Sequence, residues 1–422
     1  MGRGVAYGTG DPAHLQNVPA GRMGAWADAP GGFAEVCGLE PDGFAERRAY
    51  GDYLVRQLEE VAASGLVTLV GGAVAAARPI AGCPSTTPSS GRGPPPRASS
   101  GRKWRVELDD GRVITADQVV LATGNGRPSP FAIAGWPEAA MVQDPWSGEA
   151  AARLAEIGRS GAPLLLIGTG LTMVDVVLTL DRLGPSTGSG QASVTAVSRR
   201  GLVPRAHEHG VPAMAAPELG EVPERLSDAV AWLRARGAEP GWRAAVDSLR
   251  PVTQALWAGW PEDKKARFLR HARPWWDVHR HRIAPDAAAV LERWQSEGRL
   301  EILAGPSIRA CGATQDERGV VIRLRGGGER HVAAELAVNC TGPAERLGDG
   351  ANPLLARMLG DGLIAAGELG LGVRVDADSR AGPGLWAVGP PTRGRWWEIT
   401  AVPDIRVQAE RVARAIAAAA AG

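Results

Sequence analysis

The sequence predicts an α/β fold, and three observations support this prediction. First, a continuous apolar strand at 163–167 is followed by a glycine turn, an apolar helix at 172–183 and a β-rich strand at 193–197. Second, two regions repeat the same order of a strand, a hairpin and a strand ending in Thr-Gly. Third, a run of helix-like segments spans 221–294. This order is typical of parallel sheets with a helical insertion.

Composition bounds the class of protein. The 422 residues are 44% hydrophobic and 22% charged, as expected for two or three globular domains. A net charge of +1 gives no field that would indicate a nucleic-acid partner. No apolar run approaches the roughly 18 residues of a membrane span, and the N-terminus does not resemble a signal peptide, so we expect a cytoplasmic protein. The four cysteines lack CxxC spacing, which argues against a zinc cluster or a flavin disulfide reductase.

The repeated pattern defines the predicted organisation. In the first copy, a strand at 66–77 and a hairpin of 104–108 with 113–116 precede a strand at 118–122 that ends in Thr123-Gly124. In the second copy, a strand at 300–304 and a hairpin of 320–324 with 331–333 precede a strand at 335–340 that ends in Thr341-Gly342. Segments 82–101 and 184–190 are rich in Gly, Pro and Ser and are predicted to be unstructured insertions.

The glycine turn is the strongest local signal. Gly168-Thr169-Gly170 allows a sharp turn and a close approach of a pyrophosphate to the helix that opens at Leu171 and Thr172. The third glycine position of the dinucleotide fingerprint is occupied by Met173. The flanking strand, helix and second strand favour dinucleotide binding over a merely structural turn.

The end of the second strand indicates which dinucleotide binds. An NAD site usually places an acidic residue there, but this chain has Ser198-Arg199-Arg200, which suits the 2′-phosphate of NADPH. Asp175 and Asp181 lie inside the intervening helix and do not replace that acid. The alternative is a solvated strand end.

Several motifs together resemble a known family. These are the opening stretch 2–23, IGTGLTMVDVV, VSRRGLVPRAH, RPWWDVHRHR, NCTGP and the stretch 392–413. In this order they resemble FAD/NAD(P)-binding proteins, which are related to FAD-dependent urate hydroxylases and amino-acid N-monooxygenases. The resemblance implies a Rossmann-like flavoprotein with two dinucleotide-binding domains. Its FAD-type domain would comprise residues 1–150 and 300–422, and an NADPH-type domain with the helical segment, 151–299, would be inserted between them.

The resemblance also implies a flavin site. Gly389 would end the last strand of the FAD-type domain, Ile399 and Thr400 would lead into a helix facing the flavin, and the two Thr-Gly endings would contribute to cofactor binding. His14, Asn17 and Arg22 lie in the segment expected to line the isoalloxazine, although hydrogen bonds that anchor the loop explain these residues equally well. No catalytic residue is assigned.

This chain also departs from the family at its start. Relatives begin with a strand, a GxGxxG turn and an acid-ended second strand, whereas this chain opens at the segment that follows. About 30 residues, the opening half of a βαβ unit, would therefore be absent. Either the start was placed too far downstream or the loss is real.

The aromatic and histidine-rich stretch at Trp275, Trp276, His279 and His281 offers a second candidate site. The histidines are two residues apart with no third ligand at a familiar offset, so we predict no metal. Packing of the helical segment against the flavin domain is the favoured interpretation, and substrate contact is the alternative. The same holds for Trp396 and Trp397.

Together these features predict an oxidoreductase that uses FAD and NADPH. The absence of paired redox cysteines favours transfer of electrons to oxygen or a small organic acceptor, and hence a monooxygenase-like reaction on a small-molecule substrate. The alternative is a nucleotide-binding regulatory or scaffold protein that has lost flavin. The sequence leaves the oligomeric state and the substrate open.

Overall fold

A computed structural model of the protein describes residues 2–80, 103–184, 192–311, 318–349 and 352–421. It confirms the α/β class. The strands are β1 Val74–Pro79, β2 Trp104–Leu108, β3 Val113–Ala116, β4 Val119–Leu121, β5 Met141–Val142, β6 Leu164–Ile167, β7 Val194–Ser198, β8 Leu300–Ala304, β9 Ser307–Cys311, β10 Gly319–Arg323, β11 Glu329–Ala333, β12 Leu336–Asn339, β13 Arg380–Gly382 and β14 Leu385–Ala387. The α-helices are α1 Gly4–Tyr7, α2 Gly32–Cys37, α3 Arg47–Ala63, α4 Gly148–Ser160, α5 Leu171–Leu183, α6 Leu226–Arg236, α7 Trp242–Ser248, α8 Thr253–Gly259, α9 Glu262–Arg267, α10 Arg273–Arg280, α11 Pro285–Ser296, α12 Pro353–Gly360 and α13 Val402–Ala421.

The central element is a five-stranded parallel sheet in the order β5-β12-β6-β7-β8. All four residues of β6 are buried, because both faces of the sheet are covered. Leu164 and Leu166 pack with α4, α5 and α11 on one face. Leu165 and Ile167 pack on the other face against the antiparallel sheet β9-β10-β11.

This sheet corrects the predicted division of the chain. The boundaries at 150 and 300 would assign β5, β8 and β12 to the FAD-type domain, yet all three pair within the sheet that contains β6 and β7. The sequence marks where a strand begins and ends, but not which neighbour a parallel strand takes after a crossover. The sheet that contains the glycine turn therefore takes strands from both sides of the predicted boundaries.

A second, smaller sheet has the order β13-β14-β4, in which β14 and β4 are parallel. Within the described residues β4 is an edge strand, and Val120 in its middle is 42% exposed. The antiparallel sheet β1-β2-β3 lies nearby, and α12 packs against β1. The hairpin of β2 and β3 confirms the prediction.

The predicted strand at 66–77 is wrong in its first half, because strand structure begins only at Val74. Residues 66–73 pair with no strand among the described residues, and Leu66 is 86% exposed. Gly72 at φ +133° bends the backbone just before β1. An apolar run without a partner strand cannot satisfy its backbone groups as a ladder.

The helical segment is confirmed as α6 to α11, with a π-helical turn at Phe268–Ala272 between α9 and α10. Pro261 precedes α9 directly and Pro285 is the first residue of α11, as predicted. None of the helices in the described part of the chain is long and apolar enough to cross a bilayer. Segment 82–101 and residues 185–190 lie outside the described residues.

The helical segment packs on the C-terminal loop through an aromatic cluster. Trp257 stacks on Trp397 with ring centroids 4.5 Å apart, and Phe268 contacts both rings. Trp276 joins this cluster, whereas Trp275 is exposed. The packing interpretation therefore holds for Trp276 and Trp397 but not for Trp275.

Candidate functional site

The turn between β6 and α5 has the geometry that a dinucleotide cradle requires. Gly168 has φ +116°, and a Cβ there would lie 2.3 Å from the carbonyl oxygen of Cys340. Gly170 is the N-cap of α5, no side chain caps that turn, and a Cβ at this position would meet only open space. The helix N-terminus is thus approachable by an anion. Met173 is fully buried in the core beneath the turn.

Side chains tie this turn to the end of β7. Thr169 Oγ1 lies 2.9 Å from Ser198 Oγ, and the backbone N–H of Gly201 donates to Ser198 Oγ at 3.0 Å. These contacts place the residues after β7 beside the cradle. Arg199 therefore follows a strand end that is held against the turn.

Three arginines gather next to that strand end. Arg325, from the turn between β10 and β11, donates to the carbonyl oxygen of Arg199 at 3.5 Å. Burial, and then the charges of Arg325 and Arg199, lower the pKa of Arg200. None of the three guanidinium groups has a carboxylate partner among the described residues. Such an uncompensated cluster suits a phosphate.

The two acidic residues of α5 are already paired. Asp175 is buried and accepts from Arg47 of α3 at 2.9 Å. Asp181 accepts from Arg293 at 2.5 Å and from Trp294 Nε1 at 2.8 Å. Both carboxylates are thus engaged by side chains of the fold, as expected from their positions inside the helix.

A second candidate site is an open cleft at the end of β4. Thr123 and Gly124 line it together with Pro390 and Arg393, so the cleft joins the first Thr-Gly ending to the loop after Gly389. Thr123 Oγ1 is buried without a hydrogen-bond partner in the described part of the chain. An orphaned hydroxyl of this kind fits a polar ligand group, such as a flavin phosphate or ribityl hydroxyl.

One wall of this cleft is a partly buried ion-pair network. Arg393 Nη1 lies 3.1 Å from Glu345, and Arg393 also donates to Asn125 Oδ1 at 2.9 Å. Arg273 of α10 donates to both oxygens of Glu345 at 2.5 and 2.6 Å. Burial alone would raise the pKa of Glu345, but the hydrogen bonds from Arg273 hold it below its usual value. The cleft therefore has a charged wall that links it to the helical segment.

The second Thr-Gly ending lies elsewhere. Thr341 follows β12, beside β6, and its hydroxyl donates to Asn339 Oδ1 at 2.6 Å. Gly342 has φ +87° and open space around it. Thr341 and Gly342 thus lie beside the Gly168 turn and do not line the cleft at the end of β4. The two Thr-Gly endings lie apart because β12 pairs with β6 in the large sheet, whereas β4 belongs to the smaller sheet.

His14 and Asn17 serve as anchors. The buried ring of His14 lies 2.8 Å from Thr9 Oγ1 and 2.9 Å from Thr179 Oγ1 in α5. The carbonyl oxygen of Asn17 lies 3.1 Å from His207 Nε2. These contacts favour the loop-anchoring interpretation for His14. Asn17 also lines a small cavity between this loop and α5.

Gln16 is a residue that the sequence interpretation missed. It lines the same cavity, and its amide nitrogen and oxygen are both buried without a partner among the described residues. Its neighbours in the cavity come from α3, α5 and α11, which are far apart in the chain. No local pattern in the sequence could have indicated that Gln16 lines this cavity.

The segment before α13 is held in an uncommon conformation. Glu398 has φ +62° and is buried, and its carboxylate accepts from Trp276 Nε1 at 2.5 Å and from Arg280 Nε at 3.1 Å. Ile399 is buried, and the backbone N–H of Thr400 donates to the Glu398 carbonyl at 2.6 Å. Strained backbone of this kind persists where surrounding contacts hold it, often at functional sites.

The histidine-rich stretch has structural contacts. His279 Nδ1 lies 2.7 Å from the carbonyl oxygen of Trp275, and His281 Nε2 lies 3.8 Å from Glu398 Oε1. No group of three side chains suited to bind a metal ion occurs in the described ranges.

Comparison with known proteins agrees with this geometry. Residues 1–92 match the profile of a family described as FAD-NAD(P)-binding, which confirms the resemblance and identifies FAD and NAD(P) as the cofactors of this type of domain. An uncharacterised protein of Mycobacterium tuberculosis strain H37Rv is 29% identical over 146 residues. That match spans 32% of this chain and 27% of the relative.

Two solved structures share the fold. An ornithine N-hydroxylase of Kutzneria sp. 744, determined with reduced FAD, NADP+ and L-ornithine, has a TM-score of 0.58 at 15% identity. The match covers 98% of this chain and 89% of that enzyme. The reduced ornithine hydroxylase of Pseudomonas aeruginosa has a TM-score of 0.53 at 15% identity, over 88% of this chain and 76% of that one. The fold is thus that of flavoproteins with two dinucleotide-binding domains, as predicted.

Proposed function

We propose that this protein, whose N-terminal residues match the FAD-NAD(P)-binding profile, is an NADPH-using flavin oxidoreductase with a monooxygenase-like reaction on a small molecule. The observation that carries the proposal is the presence of two candidate cofactor sites in one chain. One is an open helix N-terminus beside three arginines, and the other contains the orphaned hydroxyl of Thr123.

The NADPH cradle supplies binding and selectivity. Gly170 leaves space for a pyrophosphate at the N-terminus of α5, whose partial positive charge favours the anion. Arg199, Arg200 and Arg325 would surround the 2′-phosphate, which NADH lacks. NADPH should therefore be preferred over NADH.

The flavin-side cleft would orient the second cofactor. Thr123 would donate its free hydroxyl proton to the flavin's polar chain, and the Arg393–Glu345 pair would keep the wall of the cleft in place. FAD, when bound, supplies the electron transfer from NADPH to oxygen or another acceptor. The N-terminal end of α13 and its preceding segment, Ile399 and Thr400, would favour negative charge beside it.

The test is the visible spectrum of the protein after incubation with FAD and desalting, followed by oxygen consumption with NADPH. We expect the flavin absorbance to remain after desalting and oxygen uptake to require NADPH. A protein that binds NADP+ but retains no flavin would instead support the nucleotide-binding regulatory or scaffold alternative. Flavin reduction without oxygen uptake would support the oxidoreductase function but contradict the monooxygenase-like reaction.

A further inference from the structure

Gln16 is a buried side chain whose hydrogen-bonding atoms are unmatched. The residue is 2% exposed, and neither its amide nitrogen nor its amide oxygen has a partner within the described ranges. Because an amide is both a donor and an acceptor, burial of the group without partners costs free energy. A bound molecule that completes these hydrogen bonds would remove that cost.

The backbone around Gln16 is fixed, so the loop holds the amide in the interior. The N–H of Gln16 donates to the carbonyl oxygen of Ala45 at 2.8 Å. Arg47 Nε donates to the carbonyl oxygen of Leu15 at 2.9 Å. His14 anchors the same loop to α5. The amide is therefore held in place by its supporting contacts before any ligand binds.

The cavity beside Gln16 lies against one face of α5. Four of its lining residues are neighbours on that face, namely Leu171, Val174, Asp175 and Leu178. The segment that opens α11 adds the apolar side chains of Ile283, Ala284 and Ala287. The carboxylate of Asp175 is already paired with Arg47 at 2.9 Å. The described residues therefore leave the Gln16 amide without a partner.

This cavity lies next to the NADPH cradle. Leu171 is the first residue of α5 and directly follows Gly170, where the open helix N-terminus would bind a pyrophosphate. From Leu171 to Leu178 the lining residues extend about 10 Å along the helix. Only one ribose separates the pyrophosphate of NADPH from its nicotinamide. A nicotinamide joined to a pyrophosphate at this helix end is therefore within reach of the cavity.

We propose that Gln16 binds the carboxamide of the nicotinamide ring of NADPH. The inference rests on the proposed function and identifies the residue that holds the reactive end of the cofactor. A carboxamide has the same donors and acceptor as the glutamine side chain, so the two groups pair through two parallel hydrogen bonds. This pairing satisfies both unmatched atoms of Gln16 at once.

Calorimetric titration of the protein in excess FAD tests the proposal without turnover. The ligands are NADP+ and 2′-phospho-ADP-ribose, which is the same molecule without the nicotinamide. We expect Gln16→Leu to weaken NADP+ binding about tenfold, as for two hydrogen bonds between neutral groups, and to change 2′-phospho-ADP-ribose binding less than about twofold. Gln295→Leu, at an exposed glutamine of α11, is the matched control and should change neither affinity.

A second comparison changes the ligand instead of the protein. In the 3-acetylpyridine analogue of NADP+, a methyl group replaces the amide NH2 group, so the hydrogen bond to Gln16 Oε1 is lost. We expect the unmodified protein to bind this analogue about fivefold more weakly than NADP+, and the Gln16→Leu protein to bind both equally. Circular dichroism would verify that Gln16→Leu is folded, and the comparison in the unmodified protein tests the proposal if it is not.

Several results would overturn the proposal. Equal binding of NADP+ and the acetylpyridine analogue by the unmodified protein would show that the amide NH2 group has no partner. A Gln16→Leu protein with unchanged NADP+ affinity would leave a buried water as the partner of Gln16. Equal weakening of NADP+ and 2′-phospho-ADP-ribose would show that the substitution acts on the cradle.

The flavin is the other source of a matching group, because its pyrimidine edge also has a donor beside an acceptor. If Gln16→Leu weakens FAD binding and leaves NADP+ binding unchanged, the flavin is the partner and the proposal fails.

Failure of this inference and failure of the proposed function give different results. If neither NADP+ nor 2′-phospho-ADP-ribose binds, the NADPH cradle is wrong and the proposed function fails with it. If both ligands bind and Gln16→Leu causes no selective loss of NADP+, only the role of Gln16 is wrong.

Discussion

The two candidate cofactor sites differ in how many elements of the protein form them. At Gly168, a strand, a turn, a helix N-terminus and three arginines come together, and the flanking strands are paired on both sides. At Thr123, the described residues provide a cleft and a buried hydroxyl, and β4 has no neighbour on one side. We therefore expect the site at Gly168 to bind NADP+ without bound flavin. The cleft at Thr123 should become fully ordered only when flavin binds.

The largest expected effect is on stability, and it should differ between the two glycines of the NADPH cradle. Gly168→Ala should lower the free energy of unfolding by about 3 kcal/mol, because a side chain is strained at φ +116° and its Cβ would collide with the Cys340 carbonyl. Gly170→Ala should cost less than about 1 kcal/mol, since its Cβ meets open space, but should weaken NADP+ binding about tenfold. Urea unfolding and calorimetric titration would measure these effects. Equal stability losses in the two proteins would contradict the geometry of the turn.

The next effect concerns the arginines beside β7. Arg200→Gln or Arg325→Gln should each weaken NADP+ binding by about 10- to 100-fold, the value of a charge-assisted hydrogen bond, and should change NAD+ binding little. The matched pair of ligands 2′,5′-ADP and 5′-AMP isolates the contribution of the 2′-phosphate. If Arg325→Gln weakens both ligands equally, Arg325 does not contact that phosphate.

A third prediction concerns how the stability of the protein depends on pH through His207. Burial and the charge of Arg282 lower the pKa of His207 to about 4, from 6.5 in the unfolded chain. The unfolded chain therefore binds more protons than the folded protein between pH 4 and 6.5, so His207 costs stability as the pH falls through this range. Between pH 7 and pH 5 this contribution is about 2 kcal/mol.

His207→Gln tests that contribution directly. The substitution should make the unfolding free energy less sensitive to pH between 7 and 5, measured by urea unfolding at each pH. His331→Gln, at an exposed histidine of β11, is the control and should retain the original dependence. The same slope in all three proteins would show that His207 titrates normally in the folded state.

The smallest expected effect tests the flavin-side cleft. Thr123→Val should raise the unfolding free energy of the flavin-free protein by about 1 kcal/mol, because it removes a buried hydroxyl that has no described partner. The same change should weaken FAD binding about fivefold to tenfold. Thr115→Val, on the exposed strand β3, should change neither quantity. A Thr123→Val protein that binds FAD as before would show that the hydroxyl does not contact the flavin.

Local patterns in the sequence predicted many of the elements, because strand periodicity, turns and helix starts depend on neighbouring residues. The hairpin of β2 and β3, the strand-turn-helix at Gly168 and the prolines at helix starts are examples. The pairing of β8 and β12 with the large sheet was not predictable in this way, because it depends on crossovers. Arg325 and Gln16 were missed for the same reason, since their partners are distant in the chain.

The prediction for residues 66–77 shows the limit of periodicity. The apolar pattern continues through 66–70, but a strand also needs a partner, and none of the described strands lies beside it. His14 shows the equivalent limit for sites. The sequence left a flavin contact and loop anchoring equally open for this histidine, and the contacts of its ring with Thr9 and Thr179 favour anchoring.

The central claim is that NADPH delivers electrons to FAD held in this chain. Its most direct test is an anaerobic titration of the FAD-loaded protein with NADPH, followed at the oxidised-flavin absorbance band, with NADH as the parallel titrant. The account predicts stoichiometric bleaching by NADPH and slow or weak bleaching by NADH. A bound flavin that stays oxidised under excess NADPH would contradict it.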